Sequence, residues 1–287
     1  MIAGALLYRY TGALSFLTPY LLFGMLLLTF CRISPRAIRL KPMHWWLMLV
    51  QVTGSVGVYF MLVWYSPDIA QAVMICVLAP TAAAAAVVTG MLGGSVAFLT
   101  SYTLLSNLAI ALVAPFLFSF MGTHPEITFM GSVVRICARV FPVLVFPFLC
   151  AWALRRWLPR WHKALLSVNK LSFYLWAVGL TIVTGRTVMF LSEQENKNFL
   201  NEWIIAALSL AVCVAQFAVG RWLGRKRGDP ISAAQALGQK NTILALWMAQ
   251  TYLLPISSVG PATYIIYQNV INSWQIWRKQ RQVKKNK

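Results

Sequence analysis

Acidic side chains are nearly absent from this chain: six Asp and Glu stand against 25 Lys and Arg. That scarcity excludes paired-carboxylate catalysis and any cation cage built from several carboxylates. His44, His124 and His162 are isolated from one another in loops or at the edges of apolar segments. Cys31, Cys76, Cys137, Cys150 and Cys213 fall in or beside apolar segments with no paired ligand spacing. They read as packing residues, so no metal site and no cofactor are expected. No nucleophile elbow appears, and the chain is not expected to be an enzyme. Charged residues amount to 11%, against about 25% in a soluble domain, which excludes a water-soluble core of this size. The opening residues lack a basic region followed by a small-residue cleavage site, so the first apolar helix is expected to stay as an anchor.

What is abundant is apolar length. Hydrophobic residues make up 59% of the chain and the mean hydropathy is +0.68. Apolar stretches of about 20 residues recur, each long enough to cross about 30 Å of hydrocarbon as a helix. The expectation is an all-α membrane protein with nine transmembrane helices, at about 12 to 31, 44 to 65, 69 to 90, 95 to 121, 128 to 154, 170 to 191, 202 to 224, 231 to 253 and 258 to 277.

The net charge of +19 would suit nucleic acid, but its placement argues against that partner. The basic residues cluster in short connections: Arg32, Arg36, Arg39 and Lys41; Arg155, Arg156, Arg160 and Lys163; Arg225, Lys226 and Arg227; and a basic tail over 279–287. Asp68, Glu126 and the stretch from Glu193 to Glu202 lie in the alternate connections. The positive-inside rule then places the N-terminus outside and the C-terminus in the cytoplasm of a plasma or inner membrane.

Two spans are unusual inside and are candidates for broken helices. The third carries Pro80, Thr81 and five alanines from Ala82 to Ala86, and the eighth carries Gly238, Gln239, Lys240, Asn241 and Thr242 near its middle. Proline removes a backbone donor, and polar residues at that depth need partners other than lipid. Isolated prolines and small residues are also common in ordinary membrane helices. Two interrupted spans five apart in order are, however, what an inverted repeat of five helices produces, with substrate held where the breaks cross.

These residues resemble the bile acid:sodium symporter family. Phe23-Gly24-Met25 is similar to its phenylalanine-glycine-methionine signature, and Ser34-Pro35 follows where relatives leave the membrane. Pro80 to Thr89 runs without gaps against a motif of proline, two glycines, threonine, alanine, serine, asparagine and a later threonine. Ala236 to Asn241 aligns with glutamate, a variable residue, glycine, a variable residue, glutamine and asparagine. Tyr267-Gln268-Asn269 stands where relatives have histidine and asparagine. The resemblance implies a single transmembrane domain of two inverted repeats, about 1–158 and about 159–278, with the family's optional first helix missing. It also implies panel and core subdomains and two crossing broken helices. Relatives carry organic anions with sodium.

On that alignment the sodium ligands are gone. The family's serine and asparagine become Ala85 and Ala86, its glutamate becomes Ala236 and its glutamine becomes Lys240, leaving only Gln51 and Thr103 among ligand positions. Lys240 lies roughly 15 Å deep by residue count, where a lysine costs about 2.5–3.5 kcal/mol on insertion scales. One reading puts its ammonium in the place of the sodium ion, with Gln51 and helix carbonyls as acceptors; the other has it snorkel to the cytoplasmic interface. In the first reading the coupling ion is a proton, because an ammonium desolvated without a carboxylate can exchange one.

Thr81, Asn241, Gln268 and Asn269 are the candidate contacts for a small organic anion, Asn241 and Asn269 by the resemblance. Each asparagine has an alternative role as an interhelical hydrogen bond. Arg135, Arg139 and Arg186 suit either an anion funnel or interfacial anchoring. Trp45, Trp46, Trp64, Trp157 and Trp161 read as aromatic belts. The expected function is secondary active transport by alternating access. The alternative is a non-transporting receptor or assembly subunit on the same fold.

Overall fold

A computed structural model describes residues 2–33, 38–121, 128–168, 171–193 and 199–285. Ser34, Pro35, Arg36, His124, Glu126 and Glu195 lie outside the described residues, as do the last two residues of the basic tail. The described chain is helical, with no strand among the described residues apart from one isolated bridge. In order the helices are α1 (Ile2–Leu6), α2 (Tyr8–Ala13), α3 (Thr18–Arg32), α4 (Pro42–Val63), α5 (Pro67–Leu78), α6 (Ala84–Leu92), α7 (Val96–Met121) and α8 (Phe129–Leu144). There follow α9 (Phe146–Trp157), α10 (Pro159–Ser167), α11 (Leu171–Glu193), α12 (Leu200–Arg225), α13 (Pro230–Gly238), α14 (Thr242–Tyr252) and α15 (Val259–Lys285).

Six stretches among the described residues are long and apolar enough to cross a membrane: Tyr8–Arg32, Pro42–Val63, Val96–Met121, Phe129–Trp157, Leu171–Glu193 and Leu200–Arg225. The expected third and eighth spans are each two short helices, α5 with α6 and α13 with α14. The expected ninth is α15, whose helix runs on through Arg278, Lys279 and Arg281. Lysine, arginine and glutamine are good helix formers, and Arg278 and Arg281 each lie over a tryptophan four residues back, Trp274 and Trp277. The residues from Lys279 to Lys285 therefore continue a helix.

The acids among the described residues sit at helix ends. Asp68 and Glu202 occupy first turns, Asp229 caps α13 by accepting from the Ser232 N–H at 3.0 Å, and Glu193 closes α11. Negative charge at a helix N-terminus is favourable, which accounts for the first three. The five tryptophans read as belt residues are all exposed.

The chain divides into two compact units. The first comprises Met1–Pro35, Asn107–Phe199 and Ile243–Ser258. Within it α1 and α2 run against α11 at glycines: a Cβ on Gly4 would meet the Thr181 backbone, and one on Gly185 would meet Thr11. The C-terminal carbonyls of α3 are met by cations or a ring nitrogen. Arg155 Nη1 donates to Ile33 O at 2.8 Å and His162 Nε2 lies 3.0 Å from Cys31 O, a placement the helix dipole favours.

The second unit comprises Arg36–Ser106, Leu200–Thr242 and Val259–Lys287. Here α12 packs along α13 through Gly220 and Gly224, where a Cβ would meet the backbone of Ala233 and of Asp229. This is a small-xxx-small interface of the kind that brings membrane helices to backbone contact. Likewise α15 meets α5 at Gly260, whose Cβ would strike the Ala72 carbonyl. The left-handed Gly93 (φ 84) closes α6 as its C-cap and turns the chain toward α7. All of the crossing described next lies in this unit.

Candidate functional site

Two helices break in the second unit, for different local reasons. Helix α5 ends at Leu78 because Ala79 precedes Pro80, and the residue before a proline is driven out of the helical region; Ala79 sits at φ −46, ψ 137. Helix α13 ends at Gly238, after which Gln239 is extended at φ −96, ψ 98. Gly238 does not break the helix by a positive φ; among the described residues only Gly93 and Gly228 have one. It is glycine because a Cβ there would enter the Phe217 ring.

The two breaks pair with each other. Thr81 and Lys240 form an antiparallel bridge, flanked by Ala82 N–H to Gln239 O at 3.0 Å and Asn241 N–H to Pro80 O at 2.8 Å. The peptide of Lys240 is completed from α15 by the Gln268 side-chain amide, which accepts from Lys240 N–H at 2.8 Å and donates to Lys240 O at 3.2 Å. On the other side Ser106 Oγ accepts from Thr81 N–H at 3.2 Å. Broken helices leave unpaired backbone groups that hydrocarbon cannot satisfy, and these bonds satisfy them.

The C-terminal carbonyls of both half-helices find donors in the same way. At the end of α13, Thr81 Oγ1 donates to Ala236 O at 2.7 Å and Tyr264 Oη to Gly238 O at 2.8 Å. At the end of α5, Gln51 Nε2 donates to Leu78 O and Ala79 O, each at 2.8 Å, and Lys240 Nζ donates to Val77 O at 2.9 Å. Two helix C-termini each carry about half a negative charge. Lys240, whose Nζ is one of these donors, is 1% exposed.

Lys240, Thr81, Gln268 and Gln51 are buried and bonded into the crossing. Gln51, expected as an acceptor for the ammonium, is a second donor to the α5 terminus, and its Oε1 accepts from Tyr102 Oη at 2.8 Å. Asn241 is half-buried at the break, while Asn269 is exposed on α15 and is not brought to the crossing. Helical geometry explains the split: at about 100° per residue, the neighbour of an inward Gln268 points away. Thr103 is buried one turn before Ser106 on α7.

Ser106, Tyr264 and Tyr102 were missed by the sequence reading, as was Gln216, whose Nε2 donates to Tyr264 Oη at 3.0 Å. Polar residues within apolar helices signalled them, but their partners lie on other helices. Among the described residues no three His, Cys, Asp or Glu side chains gather as metal ligands. Thr81→Val keeps the side-chain shape and removes its hydroxyl, leaving the Ala236 carbonyl without that donor. It is expected to destabilise by about 1–3 kcal/mol, read as a lower thermal midpoint of the purified protein; an unchanged midpoint would show that this bond contributes nothing.

A family model described as the sodium bile acid symporter family matches residues 43–195, just over half of the chain. The chain belongs to the sodium bile acid symporter family. The match takes in the first broken helix with Pro80 and Thr81 and ends before the second. No curated protein matches the chain significantly. Membership of this transporter family, together with six apolar helical stretches of spanning length, makes the chain a multi-pass membrane protein of a transporter family.

Proposed function

We propose that this protein is a secondary active transporter of a small organic anion, working by alternating access without sodium, with the Lys240 ammonium in the place of the ion. The observation that carries the reading is the Lys240 Nζ bond to Val77 O at the C-terminus of α5, made by a side chain that is 1% exposed. Half-helix C-termini and unwound carbonyls hold the coupling cation in transporters of this architecture. Here a tethered cation of the same charge takes those carbonyls. The aligned positions Ala85, Ala86 and Ala236 offer no side-chain oxygen to a hard cation.

In this reading the two broken helices each count as one span, α15 as another, and α10 lies outside the spans. Nine crossings follow, with the N-terminus outside and the basic connections and tail in the cytoplasm of a plasma or inner membrane. The anion is held at the crossing by Asn241 and the half-helix N-termini that begin after each break. Thr81 and Gln268 build the crossing rather than touch the substrate. The coupling ion is a proton exchanged at Lys240.

Uptake of a labelled organic anion into proteoliposomes is expected to keep its rate when sodium is replaced by potassium or choline. A strict sodium requirement would end the reading. A second reading, a non-transporting receptor or assembly subunit, is favoured by one feature: Thr81, Gln268 and Lys240 are all taken up by bonds within the crossing, which locks it. Saturable anion binding without counterflow in the same vesicles would select that second reading.

A further inference from the structure

Two arginines are left unexplained by the crossing. Arg139 lies in α8 and Arg186 in α11, within stretches apolar enough to span a membrane. An arginine within an apolar spanning stretch is costly to leave in hydrocarbon, so its presence calls for a polar destination. Both line one cavity of about 350 Å³ that belongs wholly to the first unit. Its wall also includes Ser15, Trp247, Gln250 and Thr251, and none of the eight described lining residues is acidic.

Hydrogen bonds hold Arg186 and Gln250 of this wall in place. Arg186 Nη1 donates to Ser15 Oγ at 2.7 Å, which fixes one edge of the guanidinium. Gln250 Nε2 donates to Val183 O and to Thr187 Oγ1, each at 3.0 Å, tying α14 to the turn of α11 that carries Arg186. Both arginines remain exposed. A guanidinium presents paired N–H donors that match a carboxylate or sulfonate fork to fork, and the indole of Trp247 offers an apolar face for the rest of a small molecule. A volume near 350 Å³ suits a compact ligand, at the low end of the usual range of about 300–1,000 Å³.

We propose that this cavity is a binding site for a compact organic oxyanion, gripped by Arg139 and Arg186 and separate from the crossing around Lys240. Its occupant is a free anion rather than a lipid headgroup, because the buried indole of Trp247 and the two guanidiniums, that of Arg186 held by Ser15, suit a small apolar body carrying one oxyanion. Equilibrium binding of radiolabelled benzoate to the purified full chain tests it. Saturable binding is expected, displaced by benzenesulfonate and not by benzyl alcohol, and weakened at least tenfold in Arg139→Gln and in Arg186→Gln. Lys240→Met is expected to bind benzoate like the unmodified protein, so loss of transport through the crossing and loss of this site are read separately. Should Arg186→Gln fail to fold, Arg186→Lys, which keeps the charge without the fork, is expected to weaken benzoate about tenfold. Absence of saturable benzoate binding, full affinity in the folded arginine variants, or equal displacement by benzyl alcohol overturns the proposal. Displacement by phosphatidylglycerol alone assigns the cavity to a lipid headgroup and overturns it equally.

Discussion

Lys240→Met is expected to lower coupled uptake by roughly ten- to a hundredfold while leaving the thermal midpoint unchanged or raised. Methionine has nearly the length of lysine and fills the same buried volume without a charge. Replacing a buried charge by an apolar side chain of similar size is often neutral or stabilising, because the desolvation penalty disappears with the charge. The loss falls instead on the terminus of α5, where Val77 O accepts from Nζ at 2.9 Å. A charge-assisted hydrogen bond is worth about 1.5–3 kcal/mol. Removed from one conformation of an alternating pair, it shifts the population by that tenfold to hundredfold. Uptake is measured in proteoliposomes under an imposed pH gradient. Equal rates, or an unchanged response to the gradient, in Lys240→Met would rule out a role for the ammonium in coupling. A fall in the midpoint matching the fall in rate would reassign Lys240 to stability alone.

Gly220→Val is expected to destabilise the protein by about 3 kcal/mol or more, a larger effect than that of Thr81→Val. A Cβ at Gly220 would meet the Ala233 carbonyl, and Ala234 Cα lies 2.8 Å from the same point. Backbone atoms of a neighbouring helix cannot turn aside as a side chain can, so α12 must separate from α13. Overpacking of a well-filled interior costs about 1–3 kcal/mol even where side chains can give way. The displacement would also strain the break at Gln239, because α13 carries Ala236 and Gly238, whose carbonyls accept from Thr81 and Tyr264. Thermal unfolding in detergent measures the effect. A midpoint within two degrees of the unmodified protein would show that the helices part freely. Gly57→Ala serves as the comparison, since no heavy atom lies within 4 Å of a Cβ there.

Much of the site was legible residue by residue. Pro80 announced one break through its missing N–H, and the polar run from Gln239 to Thr242 announced the other. Lys240 stood out because a lone cation in an apolar span needs a destination. Gly220 and Gly224 were less visible, since glycines four apart suggest close packing only once a partner helix is known. Asn269 was suggested by the family resemblance alone; the rotation of α15 turns Gln268 inward and leaves Asn269 exposed.

By itself the sequence determined the solvent, the helical class, the position of the breaks and the scarcity of carboxylates. Each of these is a local property, set by hydrocarbon's intolerance of unpaired backbone groups and by which residues can donate. Only the tertiary structure decided that the breaks pair as an antiparallel bridge, and that Val77 O rather than Gln51 receives the Lys240 ammonium. It also decided that Arg139 and Arg186, 47 positions apart in number, line one cavity. Those are relations between groups 28 to 163 residues apart along the chain, fixed by how helices rotate and close on one another, and no stretch of sequence carries them alone.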